Sequence, residues 1–471
     1  VEDKTFCSVE DVVAYIKKQS IKMIDLKLVD MVGRMHHLTL PASGVSADLF
    51  KHGFGFDGSS YAGFKSVEAG DLCMIPDYTS AVLDPFWEVP TLSFFCYIVE
   101  ADSKKPFARD PRTICMRAEQ HLLSLDLGEF LLSPEYEFYV FDDVRYKINN
   151  HSSFYELDVS GEDECCGGYQ LTKDGGYHAV SPLDRFHDLR SAICEMLEDS
   201  NVRVKYHHHE VGGSGQNEIE LGFETLGRAA DQNIWIKYVI RNLAQKSGKY
   251  ATFMPKPLYG EAGSGLHVHQ YLFRNGKSLF YTTKKDAYGN LSDTGRWFVG
   301  GLLEHGRALS AFTNPSLNSY CRLVPGYEAP VSLFYSLANR TSAVRIPKYA
   351  RNSAEMRIEY RSPDATANPY LAFSAMLLAG LDGIKRRVEP PAPIDRDITQ
   401  LPKRDLARIA VLPASLGEAL EALERDHKFL LEGGVLTEDL VSSYIELKRR
   451  NEIDEAARRP SPMDYFLYFD L

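Results

Sequence analysis

Apolar positions change period along this chain, and the changes mark its elements. Ser8 followed by Glu10 and Asp11 predicts a capped helix reaching about Gln19. The stretch "IKMIDLKLVDMVGRMHHLTLP" then alternates as two strands about a turn at Gly33, with Ile24, Leu26 and Leu28 on one face. "TLSFFCYIVEAD" reads as another strand, and "KKPFARDPR" reads as a linker. From Pro111 helices alternate with strands. Phe186, Leu189, Ile193 and Met196 recur at helical spacing and predict a core-facing stripe. Pro369 opens a long apolar helix, and Ser415 with Glu418 resembles a capping box ahead of another. A proline-dotted connection, Pro390 to Pro413, lies between them. A chain of 471 residues exceeds one ordinary core, so two domains are expected.

Polar residues interrupt the strand pattern at one repeated spacing. "LLSPEYEFYVF" sets Glu135 and Glu137 two apart, on the same face of a strand. Taken alone, it reads as a strand with one wet face. Four later segments alter that reading. "QNEIELGF" pairs Glu218 with Glu220, "GSGLHVHQYL" pairs His267 with His269, and "MRIEYRSPD" sets Arg357, Glu359 and Arg361 at the same interval; "YHHHEVGG" adds Glu210. Carboxylate-rich sites with one imidazole suit Mg²⁺ or Mn²⁺, whereas zinc favours more Cys or His. Two such ions would allow the paired glutamates to be buried as anions. Arg322, Arg340, Arg345, Arg357 and Arg361 form a second, basic group. Taken singly, each is an ordinary surface ion-pair residue; together they suggest a clamp on carboxylate or phosphate. Metals beside arginines point to phosphoryl transfer from a nucleotide. The chain has no GxxxxGK[ST] loop and no kinase signature set.

Charge and cysteine usage narrow the class. With 53 basic and 65 acidic residues the net charge is −12, which argues against nucleic acid or an acidic membrane as partner. Eight cysteines lack zinc-like spacing, and the adjacent Cys165 and Cys166 cannot easily form an unstrained disulfide. No apolar run approaches the ~20 residues that span a bilayer, and "VEDKTFCSVEDV" lacks a signal-like segment. A soluble, cytoplasmic protein is expected.

The motifs "FDGSS", "PEYEF", "HHHEVGGSGQNEIE", "ATFMPKPLYGEAGSGLHVH", "RLVPGYEAPV", "NRTSAVRIP", "RIEYRSPDATANPYLAFSAMLLAG" and "DYFLYFDL" occur in that order. Through them the chain resembles the glutamine synthetase family, in its prokaryotic type I branch, over nearly its whole length. The resemblance implies an α+β fold: an amino-terminal β-grasp domain, 1–109, then a catalytic domain, 110–471, on a curved, mostly antiparallel sheet with an oligomerisation tail. It implies ATP-dependent ligation of ammonia to L-glutamate through γ-glutamyl phosphate, with two or more Mg²⁺ or Mn²⁺ per site. Glu137, Glu210 and Glu218 would hold one ion, and Glu135, His267 and Glu359 the other. Arg322 would grip the substrate α-carboxylate and Arg361 its γ-carboxylate, with Gly263 offering backbone nearby. Arg340, Arg345 and Arg357 would face the phosphates, His269 would lie near the transferred group, and Phe223 would complete the ATP site. Asp57, Ser60, Tyr177 and Glu210 match the family's ammonium site. Glu328 would lie on the flap over the acyl phosphate, and Asp57, Glu328 and Arg340 would take part in catalysis. The resemblance further implies a dodecamer of two hexameric rings, with active sites between subunits and the tail clasping the opposite ring.

Departures from the family pattern fall at Ala262, in the substrate loop, and at Lys205, Tyr271 and Ala354, on the adenine side. Ser66 stands near the place of an arginine found in feedback-inhibited relatives. No tyrosine occurs from Leu371 to Ser443, so the tyrosine adenylylation known in type I relatives is not expected. Two other readings stand beside the ligase: a γ-glutamyl ligase for an alkylamine or polyamine on the same scaffold, and a catalytically inactive homologue. No metal ligand or arginine of the pattern is missing, and the anionic ammonium site favours ammonia.

Overall fold

Ser8 accepts a hydrogen bond from the Asp11 amide and caps the helix Val9–Lys18, as its spacing predicts. The computed structural model describes residues 6–159, 169, 171–324, 329–350 and 352–471. After the first helix come β1 (Met23–Val29), β2 (Met35–Pro41), β3 (Phe54–Asp57), β4 (Asp71–Pro76), β5 (Val82–Leu83) and β6 (Thr91–Glu100). They form a sheet in the order β2-β1-β6-β4-β3, with β5 on β6. Only β1 and β6 run parallel among the described pairs. Ile24, Leu26 and Leu28 do share a buried face. The opposite face of β1 is buried too, because Asp25 and Lys27 pair there and Lys27 also reaches Asp84 at 3.2 Å.

The larger sheet begins with β7 (Glu129–Phe141), which leads into a separate hairpin of β8 (Asp143–Ile148) and β9 (Ser153–Asp158). β10 (Val204–His209), β11 (Gln216–Leu221), β12 (Glu224–Thr225), β13 (Tyr250–Thr252), β14 (Leu266–Arg274) and β15 (Lys277–Ser278) follow. β16 (Ser332–Leu337), β17 (Ser342–Ile346) and β18 (Ile358–Tyr360) complete it. The order is β10-β11-β7-β14-β18-β17-β16, with β12 and β13 on β7 and β15 on β14. Only β16 and β17 are parallel among the described pairs, so the sheet is mostly antiparallel. One of its faces packs on helices that include Pro111–Ser124, Leu226–Lys246 and Pro369–Arg386.

Two local expectations are refined by the structure. In the helix His187–Asp199 the buried positions are Arg190, Ile193 and Leu197, preceded by Phe186, while Leu189 and Met196 are only half-buried. All four predicted residues still pack on the core, and Arg190 joins their face by turning inward to bond Asp184 and the Asn217 side chain. At Ser415 only half of a capping box forms: Ser415 Oγ accepts from the Glu418 amide, and the Glu418 carboxylate accepts instead from the Ala414 amide. The six described cysteines are all free thiols; Cys165 and Cys166 lie outside the described residues.

His305 ties the helix Pro369–Arg386 to the end of the helix Leu416–Arg425. Its Nε2 lies 2.8 Å from Asp382 and its Nδ1 2.8 Å from Asp426, while the ring stacks on Phe429 at 4.0 Å. Burial alone would lower its pKa, but the two carboxylates push it up to about 9. A folded-state pKa above the ordinary value stabilises fully below pH 6.5, and that gain is lost as pH rises through about 9. His305 should therefore contribute a fall of about 2–3 kcal/mol to urea-unfolding stability between these pH values, and His305→Gln should remove that part of the slope while the part due to the raised Glu210 and Glu218 carboxyls stays.

Candidate active site

Strand register builds the site. Residues two apart on one strand share a face, so cross-strand neighbours line up in rungs. One rung runs His208, Glu218, Glu137 across β10, β11 and β7. The next runs Tyr206, Glu220, Glu135, His267 and reaches β14. A third runs Ser133, His269, Glu359, Arg345 across β7, β14, β18 and β17. Glu135 and Glu137 are only 7% and 6% exposed, so the wet face that their strand suggests in isolation gives way to the buried pair that the later segments pointed to. They line the floor of a cleft of about 220 Å³.

Glu210, Glu218, His267, Tyr177 and Gly263 line the same cleft, and Arg322, Arg340, Arg345 and Arg361 wall it. Glu135 Oε2 lies 3.0 Å from His267 Nδ1, and its Oε1 lies 2.9 Å from His269 Nε2. Burial opposes the Glu135 anion, yet these two imidazoles hold its pKa well below the usual carboxylate value. Glu359 is fully buried between Arg345 and Arg361 and bonds both. Burial raises its pKa and Arg361 lowers it, leaving it at about 2. Glu210 and Glu218 share a single imidazole, His208, which lies 3.5 Å from each. Burial, then Glu137 and Glu218, pushes Glu210 up to about 9, and burial with four neighbouring carboxylates drives Glu218 well above its ordinary value.

The structure brings together the residues of the first expected ligand set, and in the second it adds His208. Glu135, His267 and Glu359 bring ligand atoms within 4.8 Å of one another. The second group is His208, Glu210 and Glu218, with Glu137 beside it. Glu137 turns one oxygen toward the Gly265 amide, which donates at 2.7 Å, and the other lies 3.5 Å from His267 Nδ1. A divalent cation fits this floor. Glu210 Oε2 is buried without a hydrogen-bond partner, and the mutual repulsion of the carboxylates is what a cation would relieve. Oxygen donors with one imidazole per group suit Mg²⁺ or Mn²⁺.

Other expected residues lie elsewhere. Asp57 and Ser60 are not among the cleft lining: Asp57 is fully exposed, and hydrogen bonds from Ser59 lower its pKa. His269 sits beneath the floor on Glu135, with Nδ1 buried and unpartnered. Arg357 lies over the rings of Tyr349 and Phe223, 5.2 and 5.6 Å from their centres, and donates to the Glu355 carbonyl. Glu328 lies outside the described residues. The residue pattern did not single out His208, Gln216 or Tyr206, although each alternates with a glutamate on its own segment. Gln216 Nε2 donates to the Gly263 carbonyl at 3.0 Å and steadies the substrate loop.

Residues 108–468 match the family described as glutamine synthetase, catalytic domain, and residues 20–101 match glutamine synthetase, beta-Grasp domain. The chain belongs to the glutamine synthetase family. It is 45% identical to the glutamine synthetase of Frankia alni, over 99% of this chain and 100% of that protein. It is also 45% identical to that of Streptomyces coelicolor, with the same coverage. Among solved structures, the Plasmodium falciparum glutamine synthetase superposes with a TM-score of 0.90 at 27% identity, covering 99% of this chain and 100% of that one. Apo GmaS gives 0.82 at 26% identity, covering 98% and 100%.

Arg322 is held by geometry as well as charge. Its guanidinium donates to the carbonyls of Arg361, Ser362 and Pro363. A methyl at Gly265 would stand 2.6 Å from its Nη2 and 3.0 Å from His267 Nε2. Gly265→Ala should thus destabilise by about 1–3 kcal/mol. In a double-mutant cycle with Arg322→Ala, urea unfolding should give a coupling of about 1 kcal/mol or more; additive effects would mean that the guanidinium moves aside freely.

Proposed function

We propose that this protein joins ammonia to the γ-carboxylate of L-glutamate, with ATP first phosphorylating that carboxylate, and releases L-glutamine, ADP and phosphate. The observation that carries this reading is the acidic floor facing four arginines across one cleft. A carboxylate is a poor electrophile. Transfer of the γ-phosphoryl group forms an acyl phosphate, breaks the bond to ADP, and gives the carbonyl carbon a leaving group for the amine nitrogen. Mg²⁺ or Mn²⁺, held by Glu135, His267 and Glu359 and by Glu137, His208, Glu210 and Glu218, would supply charge stabilisation at the phosphoryl oxygens. Arg322 orients the α-carboxylate, and its carbonyl cradle fixes the guanidinium before substrate arrives. Arg361 neutralises the γ-carboxylate, Arg340 and Arg345 take up charge on the moving phosphoryl group, and Arg357 and Phe223 contact the nucleotide. Ammonium is drawn by Glu210, Tyr177, Ser60 and Asp57, and Asp57 accepts its proton. Glu328 covers the acyl phosphate against water.

Asp57 and Ser60 stand outside the cleft of their own chain, which supports an oligomer in which a neighbouring copy supplies them. The carboxyl-terminal helix Pro462–Tyr468 points the same way: Phe466 and Phe469 are 81% and 82% exposed, an apolar surface that needs cover. The reading is a dodecamer of two hexameric rings, divided within each subunit into 1–109 and 110–471. The six free thiols among the described residues agree with a cytoplasmic setting. No helix among the described residues is long and apolar enough to cross a membrane.

The deciding assay compares amide formation with glutamate-dependent phosphate release, using ammonia, methylamine and putrescine. Ammonia should be preferred; preference for either larger amine would replace this reading with a γ-glutamyl-amine ligase, and no turnover with any would mark an inactive homologue. Asp57→Ala should lower glutamine formation by roughly 10²-fold while sparing acyl-phosphate formation. Glu359→Gln should keep the fold yet lose most phosphoryl transfer, because an amide cannot replace the anion between Arg345 and Arg361; normal turnover at modest Mg²⁺ would count against its role.

A further inference from the structure

A third set of possible ligands adjoins the two groups described above. Glu135, Glu220 and His269 form a third buried set whose ligand atoms lie within 4.8 Å of one another. Glu135 serves both this set and the one with His267 and Glu359, turning one oxygen to each imidazole. A third anionic set beside the others deepens a repulsion that burial already makes costly.

One side chain answers it. The pairing of β10 with β11 slips between Val204 and Tyr206, so a bulge falls at Lys205. In a regular strand Lys205 would face away from Tyr206 and His208; the extra residue re-aims it. Its ammonium lies 2.5 Å from Glu220 Oε1 and donates to Ser133 Oγ at 2.8 Å. Ser133 is the cross-strand partner of His269, so the ammonium sits at the edge of the third set. On its other side it lies 4.6 Å from the centre of the Phe223 ring.

We propose that Lys205 is a tethered cation that takes the place of a divalent ion at Glu135, Glu220 and His269, so that metal enters only the other two groups. Lys205 is a positioning residue. By neutralising Glu220 it leaves Glu135 available to the His267 and Glu359 set, and it fixes a positive charge against Phe223 without an exchangeable ion. The inference rests on the ligase reading only for the kind of metal.

The test counts bound Mn²⁺ per subunit of the full-length oligomer by equilibrium dialysis at saturating metal, without nucleotide, glutamate or amine. Wild type and Lys205→Arg should bind two ions. Lys205→Met should bind three, and the double variant Lys205→Met/Glu220→Gln should return to two. A purely structural Lys205–Glu220 pair predicts lower thermal stability in Lys205→Met with the count still at two, and that result overturns the proposal. So does a third ion in wild type. Should Lys205→Met not fold, Lys205→Gln takes its place: a third ion that is lost again with Glu220→Gln supports the tethered cation, and a count still at two overturns it. Because no substrate enters the measurement, absent glutamine formation leaves the count standing, and an unexpected count leaves the ligase reading standing.

Discussion

Repulsion among carboxylates on one sheet face is the constraint around which the larger unit is organised. β7 sets Glu135 opposite Glu220 and Glu137 opposite Glu218, at the separations where like charges destabilise a sheet. The surroundings treat the members differently. Glu359 is enclosed by two arginines, Glu135 by two imidazoles, and Glu220 by Lys205, while Glu210 and Glu218 have mainly other carboxylates near them. The charge is thus compensated unevenly, by close cationic or imidazole partners at Glu359, Glu135 and Glu220 and by the one imidazole of His208 at Glu210 and Glu218.

Holding such a face in place requires rigid support behind it. Arg112 spans from Asp77, in the amino-terminal part, to Asp231 in the helix Leu226–Lys246, and Tyr370 donates to the same Asp231. Asn368 caps the helix Pro369–Arg386 and donates to the carbonyls of Asp30 and Met31. Tyr238 donates to Asp84, the carboxylate that also meets Lys27. These buried bonds join the two sheets through the helices between them, and each would leave an unpaired polar group if one partner were removed. The apolar core supplies most of the burial, and the polar bridges fix how the pieces meet.

Most of the site residues could be read from the order of short motifs, because catalysis needs particular side chains and those side chains announce themselves by type and spacing. Glu135 with Glu137, His267 with His269, and Glu359 between two arginines were all legible. Burial was not. A Glu-x-Glu pair has the same pattern on a wet face as on a metal-binding floor, and only the strands on either side exclude water. The helix His187–Asp199 teaches the same lesson, since its apolar spacing gives a stripe but the inward turn of Arg190 depends on Asp184 and Asn217 waiting for it.

By itself, then, the sequence determined which residues share a strand face, where the capped helices begin, and which family's motifs run through the chain. These are local properties, set by the two-residue and 3.6-residue periods and by side-chain chemistry. Only the tertiary structure decided the cross-strand register that sets His208 beside Glu218 and the bulge that turns Lys205 toward Glu220. Register and bulge are relations between segments far apart in the chain, chosen by how the whole sheet packs on its helices, and no single segment carries them.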